Sequence, residues 1–170
     1  MKRLPFGKPF LSCYSSKFAS MKKILMVCLG NICRSPMAEG ILRAKVGDQV
    51  LVDSAGTGGW HSGEAPDRRA QACLRAHGQD IAGLRARQFG IEDFDRFDHI
   101  FVMDRQNYSD VISMARDEGD MKKVQMILEK THPGEQKPVP DPYYGGDQGF
   151  ENVYYLLDEA CEVLYNELIH

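Results

Sequence analysis

The sequence has no long apolar run, no dense cysteine framework and no surplus of positive charge. No uncharged apolar stretch approaches the roughly 18 residues that a membrane-spanning helix needs, so we expect no membrane association. The five cysteines are odd in number and widely spaced, unlike those of a secreted disulfide-rich domain. A reducing cytosol fits this pattern best, and we expect a cytoplasmic protein.

The charge balance excludes a general nucleic-acid binder. The chain carries 21 basic and 24 acidic residues, a formal charge of −3. Residues 1–20 contain four basic side chains and no acidic one, so residues 21–170 carry 17 basic against 24 acidic residues, or −7. Nucleic-acid binding needs a basic surface that displaces counterions. Any anion site must therefore be local.

The length of 170 residues suits one domain with one hydrophobic core. We expect that domain at residues 21–170, because no linker or internal repeat follows residue 20. Residues 1–20 are basic, contain serine and lack acids, which loosely resembles an organelle transit peptide. We favour a plainer interpretation, a poorly ordered extension or the product of an upstream start codon, with Met21 as the working start.

Strand-like and helix-like segments alternate along the chain. Apolar runs predict strands at 24–28, 50–52, 99–103 and, with helix as the alternative, 123–128. Helices are predicted from Ser35-Pro36 to Gly47 and at 66–78, 105–116 and 150–169, with loops at 53–65 and 129–149. This alternation predicts an α/β fold with a parallel sheet. Ligands bind beyond the carboxyl ends of such strands, where the turn after Cys28 and the loop at 129–149 would meet.

A cysteine ends the first predicted strand, and Arg34 and Ser35 follow six and seven residues later. Backbone N–H groups in a tight loop before a helix form an anion cradle, whose positive field favours the thiolate of Cys28. Arg34 offers a planar fork for two oxyanion oxygens, and the Ser35 hydroxyl can donate to the sulfur. Gly30 and Asn31 tolerate the left-handed backbone that such a cradle requires. The pattern predicts that this CX5RS segment is a loop that binds a tetrahedral oxyanion.

Three other interpretations of this segment fit its residues less well. Cys28 as a small buried hydrophobe is the plainest alternative, but it leaves the spacing to Arg34 and Ser35 unexplained. The sequence has no G-x4-G-K-[ST] motif of a nucleotide-binding loop. Cys28 and Cys33 also lack a second cysteine or histidine pair at zinc-binding spacing. We expect neither a metal nor another cofactor.

Residues 27–39, VCLGNICRSPMAE, resemble the phosphate loop of the low-molecular-weight protein tyrosine phosphatases almost throughout. Further similar segments occur in the family's order: DSAGT at 53–57, Trp60, RARQ at 85–88, Met103-Asp104 and DPYY at 141–144. The resemblance covers Lys22 to the C-terminus. It implies a four-stranded parallel sheet flanked by helices, a flavodoxin- or Rossmann-like three-layer sandwich. It also implies hydrolysis of phosphotyrosine and aryl phosphate monoesters through a phosphocysteine.

The resemblance implies a role for each matching residue. Cys28 is the nucleophile, Arg34 binds the oxyanion, and Asp141 protonates the leaving oxygen before activating water. By itself an aspartate before proline is usually a turn former, and burial beside aromatics would favour its acid form. The implied substrate-binding residues are Leu29, Gly30, Asn31, Ile32, Cys33, Ser35, Trp60, Tyr143 and Tyr144. Asn31 and Ser35, with Ser54 and Asp104, are implied to support the loop.

The expected substrate class depends on the side chains that would form the rim of the site. The aromatic side chains of Trp60, Tyr143 and Tyr144 would wall a slot that favours phosphotyrosine over phosphoserine; loop packing is the alternative. Related arginine phosphatases carry threonine at the position of Ile32, so an apolar residue there favours phosphotyrosine. Expected partners are phosphotyrosine proteins, with a tyrosine kinase as one candidate, and phosphate or vanadate as oxyanion ligands. No nucleic acid or membrane is expected.

The resemblance also bears on the roles of the other cysteines and on one position where this sequence differs from the family. The resemblance implies a reversible Cys28–Cys33 disulfide under oxidant, whereas Cys73 and Cys161 are expected in the core. Leu84 stands where family members often have a histidine that braces the loop. Either another group completes the bracing, or the loop is held less firmly. Surface or capping roles are expected for the histidines: His61, His77, His99, His132 and His170.

Two other function classes remain open on the same fold. Thiol-dependent arsenate reduction would use the same oxyanion loop, but no closely spaced cysteine pair exists beyond Cys28 and Cys33 to relay the disulfide. The other class is a phosphotyrosine-binding module that has lost its catalytic activity, and Leu84 is the only feature that suggests it.

Overall fold

The computed structural model describes residues 20–170, so the expectation for residues 1–20 lies almost entirely outside the described residues. Two 3-10 turns, Gly47–Gln49 and Ile127–Lys130, accompany ten strands and helices in this part of the chain. In chain order these are β1 Lys22–Cys28, α1 Arg34–Val46, β2 Val50–Gly56, α2 Arg68–Ala76, α3 Asp93–Arg96, β3 His99–Val102, α4 Arg105–Ser113, α5 Glu118–Lys122, β4 Val124–Met126 and α6 Gly146–Ile169.

The four strands form one parallel sheet in the order β2-β1-β3-β4. In β1, Val27 pairs with Ala55 of β2 and with Val102 of β3. Residues 24–27 are fully buried, as expected of an apolar central strand that is covered on both faces. The predicted four-stranded parallel sheet is confirmed.

Helices cover both faces of the sheet. Alternate residues of a strand point to opposite faces, and Ile24 and Met26 of β1 pack into a core with α1, α2 and α6. Leu25 and Val27 pack into a second core with Phe94 of α3 and with α4. This is the expected three-layer arrangement, and it places Cys28 at the carboxyl edge of the central strand.

Several predicted boundaries are wrong. The strand predicted at 50–52 continues to Gly56, since Gly56 pairs with Cys28 and its carbonyl accepts from Phe89 N, so residues 53–56 are not loop. Helix α1 begins at Arg34, which makes Pro36 the third helical residue instead of the first. Helix α6 begins at Gly146, four residues before the predicted start. Its first residues include glycines, which are weak helix formers and hide the start in the sequence.

Further differences concern short elements. The sequence did not predict α3 and α5, which have four and five residues. The helix predicted at 105–116 ends at Ser113, and the fourth strand is confined to Val124–Met126. Within residues 20–170, no helix combines the length and the apolar character that a bilayer span requires.

Candidate active site

The loop between β1 and α1 curls around the sulfur of Cys28. The Asn31 backbone N–H donates to Cys28 Sγ over 3.3 Å, and Ser35 Oγ lies 2.9 Å from the same sulfur. Asn31 has φ of 57°, the left-handed conformation that the sequence predicts at this turn. A buried sulfur with two polar partners is held in one place, at the centre of the loop.

A buried amide within this loop ties it to the neighbouring strand. Asn31 Nδ2 donates to Ser35 Oγ over 2.8 Å and to Ser54 Oγ over 2.9 Å. Its Oδ1 accepts from Arg87 N at 3.0 Å. The amide thus makes three hydrogen bonds that tie the loop to β2 and to the segment at 85–88. Ser54 lies in the network, as the resemblance implies.

Glu39 completes the network, a role that was not predicted from the sequence. Its Oε2 accepts from Ser54 Oγ over 2.5 Å, and the residue is 2% exposed. Burial raises the pKa of the Glu39 carboxyl, against the Ser54 hydrogen bond and the charge of Arg43, which lower it. Arg43 Nη2 lies 3.1 Å from Oε1 without hydrogen-bond geometry. The only signal in the sequence is that Glu39 follows Ser35 by one helical turn.

Leu84 therefore does not leave the loop unbraced. Its side chain packs against the core on the α1 and α6 side, and it lines a surface groove together with Arg43. The polar chain from Asn31 through Ser54 to Glu39 closes without it. Of the two alternatives for Leu84, the structure favours completion of the network by another group.

Arg34 is a buried guanidinium with fixed acceptors. Its Nη1 donates to Asp104 Oδ2 over 2.7 Å and to the Val139 carbonyl over 3.1 Å. Burial alone would lower the pKa of Arg34, but the charge of Cys28 and the hydrogen bond and charge of Asp104 raise it overall. Asp104 also caps α4 by accepting from Asn107 N at 2.8 Å. The charged fork is thus oriented from the start of a helix.

Asp141 lies on the other side of Arg34, in the loop before α6. Its Oδ2 is 3.9 Å from Arg34 Nη2, and its Oδ1 accepts from Tyr143 N at 3.0 Å. The expected burial beside aromatics is wrong, since 49% of its side chain is exposed. The Tyr143 N–H and the Arg34 guanidinium hold the carboxyl at the open mouth of the site. The loop is anchored by Val139 N, which donates to the Met103 carbonyl at the end of β3.

These side chains line one cavity of about 320 Å³. Its buried part is formed by Cys28, Cys33 and Arg34, and Asp141 lies at the mouth. The lining also includes most of the predicted substrate-binding residues and one histidine: Leu29, Gly30, Ile32, Trp60, His61, Tyr143 and Tyr144. Asn31 and Ser35, also implied to bind substrate, are instead buried against the Cys28 sulfur. The structure therefore brings the distant predicted residues together around one opening. His61 was expected only at the surface, and its Nδ1 lies 2.7 Å from Glu64 Oε2.

The aromatic rim is exposed but ordered by its neighbours. Trp60 is 72% exposed, and its indole lies so close to Gly58 that a Cβ there would be 1.8 Å from a ring atom. Arg69 Nη1 donates to the Tyr143 carbonyl over 2.8 Å, and the guanidinium lies over the Tyr143 ring at 5.3 Å. Nothing in the sequence marks Arg69 for this role. Tyr144 packs edge-on against Tyr143.

The second cysteine of the loop, Cys33, is buried in the wall of the cavity. Burial raises the pKa of Cys33 to about 12, and the charges of Asp67, Cys28 and Asp141 act in the same direction. Cys28 and Cys33 are both free. Cys73 and Cys161 are buried in the core, as expected.

Comparisons with known proteins agree with this geometry. A family model described as low molecular weight phosphotyrosine protein phosphatase matches residues 23–170. A putative low molecular weight protein-tyrosine-phosphatase of Synechocystis is 46% identical over 151 residues, 86% of this chain and 96% of that protein. A protein tyrosine phosphatase of Entamoeba histolytica, solved with Hepes in the active site, superposes with a TM-score of 0.81 at 35% identity, covering 87% and 97% of the two chains. Wzb of Vibrio vulnificus, solved with benzylphosphonate, gives 0.79 at 27% identity, covering 86% and 99%.

Proposed function

Since the chain belongs to the low molecular weight phosphotyrosine protein phosphatase family, we propose that it hydrolyses phosphotyrosine and aryl phosphate monoesters through a phosphocysteine on Cys28. The observation that carries this proposal is the single cavity shared by Cys28, Arg34 and Asp141. We assign the catalytic domain to residues 21–170.

In the first step the Cys28 thiolate attacks phosphorus in line with the tyrosyl oxygen. The phosphorus–sulfur bond forms as the phosphorus–oxygen bond breaks, and Asp141 gives its proton to the departing oxygen. Arg34 and the loop N–H groups of residues 29–34 stabilise the equatorial oxygens. The 3.9 Å between Arg34 Nη2 and Asp141 Oδ2 supports this assignment, because acid and oxyanion clamp must meet at one phosphoryl group.

In the second step the Asp141 carboxylate takes a proton from water, and the resulting nucleophile attacks phosphorus. The phosphorus–sulfur bond breaks and inorganic phosphate leaves. Cys28 departs as a thiolate, which the Asn31 N–H and the Ser35 hydroxyl stabilise at 3.3 and 2.9 Å. The leaving group is good for the same reason that the nucleophile is reactive. Neither step requires a metal.

The shape of the cavity supports an aromatic phosphate as substrate. Its reactive sulfur is buried, and Trp60 and Tyr143 stand exposed at its mouth. A phenyl ring is long enough to bring phosphate to the sulfur while the ring contacts these aromatics. The benzylphosphonate bound by the Vibrio vulnificus protein is such a molecule. The apolar Ile32 in the wall also favours an aromatic over a guanidinium phosphate.

Proteins that carry phosphotyrosine are the proposed partners, with tyrosine kinases among the candidates. Phosphate and vanadate should bind as oxyanion ligands. The reaction needs a reduced Cys28, and we therefore propose a cytoplasmic location.

The deciding experiment measures phosphate release from a phosphotyrosine peptide in the presence of EDTA. Phosphoserine and phosphoarginine peptides test the specificity, and the Cys28→Ser protein tests the nucleophile. We expect phosphotyrosine-selective release that EDTA leaves intact and that disappears in Cys28→Ser, which should still bind vanadate. Turnover by a folded Cys28→Ser protein would refute the mechanism. Thioredoxin-coupled arsenate turnover, or tight phosphopeptide binding without release, would replace it with one of the two alternatives.

A further inference from the structure

Three side chains with metal-binding atoms meet where α2 packs against α6. Cys73 Sγ lies 3.4 Å from Glu151 Oε1, and His77 Nε2 lies 3.0 Å from Glu151 Oε2. The three ligand atoms all lie within 4.8 Å of one another. None of these residues lines the cavity around Cys28. The proposed phosphatase mechanism makes no use of them.

The spacing of these atoms fits one ion. Tetrahedral zinc has bonds of about 2.0–2.3 Å, which place neighbouring ligand atoms about 3.3–3.6 Å apart. The Cys73–Glu151 and His77–Glu151 separations of 3.4 and 3.0 Å, each to a different carboxylate oxygen, are close to that range, and all three ligand atoms lie within 4.8 Å of one another. An ion could therefore replace the hydrogen bonds of the cluster after side-chain shifts of about 1 Å at most.

The backbone holds the histidine in position. Cys73 and His77 are four residues apart and share one face of the helix. Gly78, at φ 82°, ends the helix, where Gly78 N and Gln79 N donate to the carbonyls of Arg75 and Leu74. This is a Schellman arrangement. It fixes the Cα of His77 relative to Cys73.

The ring of His77 is also oriented. It stacks on Tyr154 of α6 with 3.6 Å between ring centroids and 8° between planes, and Tyr155 contacts it edge-on. These ring contacts restrict the rotation of the imidazole before any ion arrives, as outer hydrogen bonds do for many metal-bound histidines. The stacking leaves Nε2 directed at Glu151.

We propose that Cys73, His77 and Glu151 bind Zn²⁺ or a similar divalent transition metal, with water as the fourth ligand. Sulfur, imidazole and carboxylate are the donors that zinc prefers. The side chains of His77 and Glu151 are 23% and 34% exposed, so an ion can enter and keep one water. On binding, Cys73 loses its proton to solvent and becomes a thiolate ligand. The ion links α2 to α6, the helix that directly follows the Asp141 loop.

The test uses the full-length protein with Cys28→Ser and Cys33→Ser, so that the active-site thiols cannot bind the metal. Co²⁺ is titrated in as the probe, and we expect a thiolate-to-cobalt charge-transfer band that Zn²⁺ abolishes by competition. Adding Cys73→Ser should remove the band. His77→Gln or Glu151→Gln should weaken Co²⁺ binding by at least about 10–100-fold, the range seen when even the outer partners of a metal site are lost.

Two variants serve as matched controls in the same background. Glu162→Gln removes a carboxylate of α6 that pairs with Lys45, and His132→Gln removes a histidine outside the cluster. Both should bind Co²⁺ like the parent, and thermal denaturation should show every variant folded. Zn²⁺ should raise the Tm of the parent and of both controls, but not that of Cys73→Ser. Absence of the band, or an equal band in folded Cys73→Ser, would overturn the proposal. Because the background lacks Cys28, neither result depends on phosphatase activity.

Discussion

The Asp104 carboxylate makes two contacts, one with Arg34 and one with the N-terminus of α4, and substitutions can distinguish their effects. Its Oδ2 accepts from Arg34 Nη1 at 2.7 Å, and its Oδ1 accepts from Asn107 N at 2.8 Å. An asparagine has only one acceptor oxygen, and its amide would face a donor on the other side. Asp104→Asn therefore keeps the helix cap or the Arg34 contact, but never both. Asp104→Ala removes both.

The expected magnitudes follow from the burial of the pair. Removing one partner of a buried ion pair costs about 3–5 kcal/mol. Because the Asp104 side chain is 25% exposed, we take the lower end, about 3 kcal/mol. Loss of an N-cap adds about 1 kcal/mol. Asp104→Ala should therefore lower the free energy of unfolding by about 4 kcal/mol, and Asp104→Asn by about 1–3 kcal/mol.

The loss of activity in Asp104→Ala should be larger than the loss of a helix cap alone would cause. Without Asp104, Arg34 Nη1 keeps only the Val139 carbonyl, and the guanidinium is free to turn toward Asp141. A displacement of about 1 Å in a catalytic group costs roughly 100-fold in rate. We expect kcat/KM for an aryl phosphate to fall by about that factor in Asp104→Ala.

The assays are urea denaturation and steady-state kinetics, with Asp117→Ala as the matched control. Asp117 caps α5 through Asp120 N at 2.8 Å, and no arginine among residues 20–170 pairs with its carboxylate. It should lose about 1 kcal/mol of stability and keep its turnover. If Asp104→Ala behaves like Asp117→Ala in both assays, Asp104 is only a helix cap and our account of Arg34 is wrong.

Three further predictions concern the rim, the second thiol and the buried carboxyl. Gly58→Ala should displace the Trp60 indole, because the new Cβ would lie 1.8 Å from it; KM for a phosphotyrosine peptide should rise as in Trp60→Ala, while urea stability is unchanged. With a pKa of about 12, Cys33 should resist iodoacetamide at neutral pH while Cys28 is alkylated, and mass spectrometry of the labelled protein would show the opposite order if we are wrong. Burial raises the folded-state pKa of Glu39 above its usual value near 4.5. The contribution of Glu39 to the free energy of unfolding is therefore lost as pH rises from the usual pKa through the raised one. Glu39→Gln should gain stability relative to the parent from acidic to neutral pH in urea titrations, and a constant difference would contradict the shift.

The phosphate loop could be predicted from the sequence because it is local. A buried strand, a glycine–asparagine turn and a helix start lie within a few residues of Cys28, and each is set by short-range preferences. Asn31 adopts the left-handed conformation that its residue type allows. The structure places Arg34 and Ser35 at the same loop. Their catalytic roles stay predictions until the variants are assayed.

The parts that could not be predicted depend on contacts between distant segments. The hydrogen bond from Arg34 to the Val139 carbonyl spans 105 positions, and that from Arg69 to the Tyr143 carbonyl spans 74. A backbone carbonyl leaves no trace in a sequence. The same holds for Glu151, which lies 74 positions from His77. The Cys73–His77 spacing is visible by itself, but only the packing of α2 on α6 supplies the third ligand.

The exposure of Asp141, where burial beside aromatics was expected, has a physical reason. An acid that must reach the leaving oxygen of many substrates cannot be sealed in the free protein, and its side chain stands half exposed at the mouth. The substrate ring itself would cover it, between Tyr143 and the Trp60 indole. The substrate, and not the empty site, then shields this carboxyl from water. An alkyl phosphate, which leaves the carboxyl in water, should be hydrolysed more slowly than an aryl phosphate by more than its leaving group explains. Asp141→Asn should reduce this additional rate difference between aryl and alkyl phosphates, because the amide side chain cannot donate a proton to the leaving oxygen.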